Sequence, residues 1–162
     1  MAKLALIRVN ALNRPDFVAA FADVAEASPW VAEAAERARP FPTRQAMIDI
    51  FAAAVRSAPE DRQQALLCAH PDLGSRLAMA EASRREQQGA GLDRLTDEEH
   101  SRLVALNAAY RERFGIPFIF AVRGAETKQI LDALMQRLER DSRTEYEAAI
   151  EEVCKIMGFR LE

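Results

Sequence analysis

His70 stands directly before Pro71 in the stretch Ala69-His70-Pro71-Asp72-Leu73-Gly74, and thirteen residues after it the chain reads Ser83-Arg84-Arg85-Glu86-Gln87. These two polar clusters interrupt a pattern otherwise rich in alanine and leucine, and together they offer a proton carrier and a carboxylate. Proline disfavours the α conformation of the residue before it, so a helix must stop at His70 and its imidazole can leave the packed face. Histidine is the side chain whose unperturbed pKa lies near neutrality, and a helix-end histidine facing a glutamate from another segment suits general acid or base work.

Each of these residues also has a plainer reading. His70 can be a partly exposed helix-terminal residue engaging the last carbonyls. Ser83-x-x-Glu86 has capping-box spacing, so Glu86 can simply reach back to the Ser83 amide. Cys68, two residues from His70, does not share its helix face and reads as a small buried side chain. His100 reads as solvated surface, and Arg84, Arg85, Arg123 and Arg160 as surface cations. With one good histidine candidate, no His-x-x-x-His and no carboxylate set at ligand spacing, no metal is expected. Gly89-Ala-Gly91 lacks the context of a phosphate loop, so no nucleotide cofactor is expected either.

The elements that must position these groups are helical. Apolar residues recur at helical spacing in roughly eight stretches. Asn13 before Pro15 opens a face of Phe17, Phe21 and Val24, and Ser28-Pro29-Trp30 opens a second helix. Thr43 caps a stripe of Met47, Ile50, Phe51 and Val55, and Pro59 starts the helix that carries Leu66 and Leu67 up to His70. Thr96-Asp97-Glu98-Glu99 is a capping box leading into Leu103, Leu106, Tyr110 and Phe114, with Gly115 as the stop. Two more helices follow Gly124, and Gln87–Gly91 reads as a loop or frayed helix. One stretch differs: Ile116-Pro-Phe-Ile-Phe-Ala-Val122 is β-branched and aromatic and reads as a short extended segment. Without a sheet partner its backbone groups must find water, side chains or a ligand, which makes that backbone a candidate for substrate binding.

A chain of 162 residues is the size of one domain, and residues 1–162 are expected to form a single all-α domain. Lys plus Arg number 22 against 25 Asp plus Glu, a net charge of −3 that gives no field for nucleic acid or anionic lipid. A small-molecule substrate is the expected partner. Cys68 and Cys154 are too few for a disulfide framework, no apolar run approaches membrane-spanning length, and a cytoplasmic location is expected.

Four stretches in unbroken order, Ser28-Pro-Trp-Val-Ala32, Ala69-His-Pro-Asp-Leu-Gly74, Ser83-Arg-Arg-Glu-Gln-Gln-Gly-Ala-Gly-Leu92, and Leu106-Asn-Ala-Ala-Tyr110 running into Arg113-Phe-Gly-Ile-Pro-Phe-Ile-Phe-Ala-Val122, resemble the 2-oxo-4-hydroxy-4-carboxy-5-ureidoimidazoline (OHCU) decarboxylases. That family closes the route from urate to S-allantoin. The resemblance implies an all-helical, cofactor-free decarboxylase, commonly a homodimer. It casts His70 as the catalytic acid, with Glu86 beside it either orienting the imidazole or crowding the departing carboxylate. Pro71 shapes the pocket; Ser83 and Gln87, the main chain of Phe118, Ile119, Phe120, Ala121 and Val122, and Arg160 in Gly158-Phe-Arg-Leu161 contact the substrate. Two stretches depart from the family's usual form: Ala78-Met-Ala-Glu-Ala82 replaces a Leu-Thr-x-Glu run, and Phe114-Gly-Ile-Pro-Phe118 carries isoleucine for phenylalanine. Neither removes a chemical group from the site. A helical module that binds a ureide without catalysis, and a hydrolase or racemase using the same pair, are the competing readings.

Overall fold

The structure, a computed structural model, describes residues 4–75 and 81–162, and Ala78–Ala80 of the departing stretch lie outside the described residues. Among the described residues there are nine helices and no strand: α1 (Leu6–Ala11), α2 (Arg14–Phe21), α3 (Trp30–Glu36), α4 (Arg44–Arg56), α5 (Glu60–Ala69), α6 (Glu81–Gly89), α7 (Asp97–Phe114), α8 (Thr127–Leu138) and α9 (Ser142–Leu161). The chain is all-α. No described helix is long and apolar enough to cross a membrane.

The caps form largely where the sequence puts them. The Asn13 side chain accepts from the Asp16 amide at 2.9 Å, and Thr43 accepts from Ala46 at 3.0 Å. Thr96 and Glu99 close a reciprocal capping box, and Gly115 ends α7 in the left-handed region at φ 70°. Ser28 makes no such cap, because Pro29 takes the N-cap position of α3. Helix α1 was not expected; it is one and a half turns long and buries only Val9, too little for a helical pattern to register.

The contacts cluster into two units, one running to Leu66 and including Cys154–Glu162, the other comprising Leu67–Val153. In the first, α2 packs on α3 and α3 on α4 around Phe17, Phe21, Phe41 and Phe51, whose rings lie 4.8 to 6.4 Å apart. Arg39 lies 4.7 Å over the Phe17 ring and donates to the carbonyls of Val9 and Leu12. In the second unit α7 packs on α8, with Leu103, Tyr110, Phe118, Ile130 and Leu134 fully buried.

Candidate active site

Helix α5 stops at Ala69, one residue short of the expected end, as the His70-Pro71 step requires. His70 is nevertheless 6 % exposed, so the picture of a partly exposed helix-end histidine is corrected. The loop that follows is drawn in by side chains from two helices. The Asp72 carboxylate accepts twice from Arg111 Nε, at 2.9 and 3.2 Å. Asn107 Nδ2 donates to the Leu73 carbonyl at 3.0 Å, and the Gly74 amide donates to Gln87 Oε1 at 2.9 Å. Three consecutive residues are thus held from α7 and α6. Cys68 is exposed, not buried as its size suggested, and its thiol lies 3.8 Å from the Gly115 carbonyl.

Gly74 is required by this geometry. Its φ is +71°, and a Cβ there would meet Leu103 Cδ2, itself buried, at 2.6 Å. We expect Gly74→Ala to lower stability by about 1–3 kcal/mol through backbone strain and overpacking. A thermal melt indistinguishable from the parent would refute the requirement.

Helix α6 reads Glu-Ala-Ser-Arg-Arg-Glu-Gln-Gln-Gly, almost devoid of apolar side chains, yet it buries Ser83 and Gln87 and half-buries Glu86. Residues three and four apart share a helix face. Ser83, Glu86 and Gln87 therefore form one inward polar face, and a buried polar face is far more informative than a buried apolar one. Ser83 lies inside the helix, which removes the reading of Ser83 and Glu86 as a capping box at its start.

The segment from Ile116 to Val122 lies outside any helix or strand, with a bend at Ile116, and Phe118, Ile119 and Val122 are buried. Its backbone finds side chains first: Arg137 Nη1 donates to the Ile119 carbonyl at 2.7 Å, and the Ala121 amide donates to Glu152 at 2.7 Å. The Val122 carbonyl accepts from Ala125 at 3.0 Å. Part of the main chain expected to meet a substrate is therefore engaged by the protein itself. Arg137 in turn lies against Glu145, and the Tyr110 hydroxyl donates to the same carboxylate oxygen, Glu145 Oε1. Tyr110 was expected only as part of the inner stripe of α7, and Arg137 and Glu145 were not singled out from the sequence. The available signal was positional: Arg137 follows Ile130 and Leu134 on the inward stripe of α8, and Asn107 falls between Leu103 and Tyr110 on that of α7.

Burial, and then donation to Glu145, push the Tyr110 phenol well above its ordinary value. Since the folded value is the higher one, the associated stability is whole below the unfolded tyrosine pKa of about 10. It is lost as pH rises through the folded value. In alkaline titration followed by near-ultraviolet absorbance, native wild type and Tyr110→Phe should change equally before unfolding. A smaller change in the variant would mean that Tyr110 ionises in the native state.

Ten of the eleven residues expected in the site fall in the second unit: His70, Pro71, Ser83, Glu86 and Gln87, with Phe118, Ile119, Phe120, Ala121 and Val122. Arg160 belongs to the first, where its Nη1 meets the carbonyls of Asp23 and Val24 at 3.3 and 3.2 Å and Glu26 at 3.5 Å.

Residues 10–162 match the family model for OHCU decarboxylase. A 2-oxo-4-hydroxy-4-carboxy-5-ureidoimidazoline decarboxylase from Haloferax volcanii is 41 % identical over 161 residues, covering 99 % of this chain and 96 % of that protein. A uric acid degradation bifunctional protein from a Bacillus species is 36 % identical over 157 residues, which are 97 % of this chain and 31 % of that protein. Among solved structures, that of (S)-allantoin synthase superposes with a TM-score of 0.78 at 30 % identity, over 98 % of this chain and 53 % of the longer one. A match so nearly complete, over the stretches that carry His70, the polar face of α6 and the segment Ile116 to Val122, means that the chain belongs to the OHCU decarboxylase family.

Proposed function

We propose that this chain, with residues 1–162 working as one domain, decarboxylates 2-oxo-4-hydroxy-4-carboxy-5-ureidoimidazoline to S-allantoin without a cofactor, and that His70 is the proton donor. The observation that carries the proposal is His70 itself: a buried histidine at a helix end, on a loop pinned at three successive residues, within a chain whose family is named for this reaction.

The bond between the ring carbon and its carboxylate breaks, carbon dioxide leaves, and the electron pair flows into the adjacent C=N bond of the ring. The ring supplies its own electron sink, so the reaction needs neither pyridoxal nor thiamine. The ring nitrogen that receives the electron pair takes one proton, the neighbouring carbon, which bears the ureido group, takes a second on one face, and the hydroxyl proton is released as its carbon becomes a carbonyl, so that one net proton is consumed for each carbon dioxide lost. One enantiomer results only if the acid is fixed beside the ring, the task we assign to the His70 imidazole. Glu86 completes the catalytic pair. Pro71 shapes the pocket, Ser83 and Gln87 bind polar substituents, and main-chain groups of Phe118 to Val122 stabilise developing negative charge as an oxyanion hole does. Arg160 is carried over as the substrate arginine by the family resemblance alone. The same resemblance carries a homodimer, and the sparse cysteines a cytoplasmic location.

The test generates the unstable ureidoimidazoline in situ from urate, adds the protein, and follows circular dichroism together with carbon dioxide release. Rapid appearance of optically active allantoin is the expected result. Slow racemic product at the spontaneous rate would overturn the proposal and favour a module that binds without catalysis.

A further inference from the structure

The segment Ile116 to Val122 lies outside any helix and has no strand beside it among the described residues, so no ladder of backbone hydrogen bonds fixes its position. Side chains do so instead. Arg137 holds it at two adjacent residues, donating from Nη1 to the Ile119 carbonyl at 2.7 Å and lying 4.7 Å over the Phe118 ring. Glu145 orients that guanidinium through Nε at 2.5 Å and through Nη2, and Tyr110 adds a third donor to the same carboxylate oxygen. The Tyr110 ring also meets Phe118 edge-on at 5.3 Å.

The side chains of Arg137 and Glu145 are 6 % and 0 % exposed. Such a pair is a poor way to stabilise a core, because well-packed apolar residues of similar volume do as well or better. What apolar residues cannot do is hold a carbonyl in place. We propose that Arg137, oriented by Glu145 and Tyr110, is a positioning residue that fixes the Phe118–Val122 backbone and, through it, the tilt of the substrate ring when the proton is delivered. The proposal rests on the preceding reading, in which that backbone meets the substrate.

The decisive variant is Tyr110→Phe/Arg137→Met/Glu145→Met, which removes the three polar side chains together, leaves the Ile119 carbonyl without the Arg137 donor and the half-exposed Arg140 without its Glu145 partner, and is expected to melt cooperatively. Its kcat/KM should fall about 100-fold, the scale of a 1 Å misplacement. The allantoin it forms should lose optical purity, which a merely structural pair would not govern. Amide hydrogen exchange at Phe120 and Ala121 should quicken. Arg137→Lys, with charge but no fork to span both partners, should fall between the variant and wild type. A folded triple variant with wild-type kcat/KM and wild-type optical purity overturns the proposal. If the triple variant does not fold, Arg137→Lys decides: unchanged kcat/KM and optical purity overturn it, and losses in both support it. Wild type that fails to accelerate decarboxylation counts against the reaction instead, and hydrogen exchange then still reads whether Arg137 fixes the segment.

Discussion

His70→Asn should lower the rate of carbon dioxide release by about 100- to 10,000-fold, the range expected for loss of a positioned acid. Asparagine can still hydrogen-bond but cannot deliver a proton. Because His70 is buried and has an interaction partner, truncation to alanine would confound chemistry with a cavity and an abandoned partner. Asparagine is the cleaner choice. Residual allantoin should emerge racemic, since protonation would fall to water. Rates taken at a temperature where both proteins are folded by circular dichroism make the comparison, and optically pure product at near-parental rate would remove His70 from the chemistry.

The largest effect on stability is expected at Glu145. Glu145→Ala strands the Arg137 guanidinium in the interior and takes the acceptor from the Tyr110 hydroxyl. Breaking a buried pair from one side costs about 3–5 kcal/mol, which at roughly 2–4 °C per kcal/mol for a chain of this size is a fall in Tm of about 6–20 °C. The Tyr110→Phe/Arg137→Met/Glu145→Met variant should melt far closer to wild type than this single change does. Calorimetry of the two side by side tests the contrast. A single variant within about 1 kcal/mol of wild type would mean that the pair is not coupled as its geometry requires.

The helices and their caps were legible because they rest on short-range chemistry: Asn13, Thr43 and the Thr96–Glu99 box each act within three residues of themselves. That the stretch Ile116 to Val122 is not helical was legible from its composition and flanking glycines. Burial of polar side chains was not. Cys68 lies exposed and His70 buried, the reverse of what their types suggested, and the loop after His70 is held by Asn107, Arg111 and Gln87 reaching it from elsewhere in the chain, contacts no local pattern reveals. The same holds for Arg137, whose place on an inward stripe reads as a surface cation until Glu145 is seen opposite. The resemblance supplied the reaction and the site residues; it said nothing of the groups that hold them.

The bond between Gln87 and Gly74 also decides what Gln87 has left to offer. An amide N–H can only donate, so the atom facing Gly74 must be the carboxamide oxygen, and the ambiguity between oxygen and nitrogen that besets glutamine does not arise here. Toward a ligand, Gln87 is accordingly a source of protons for hydrogen bonding through Nε2. In the proposed function, where Gln87 meets the substrate, a carbonyl or carboxylate oxygen would suit its Nε2 and a ring N–H would not, so this one internal bond would favour one way round for an asymmetric ring.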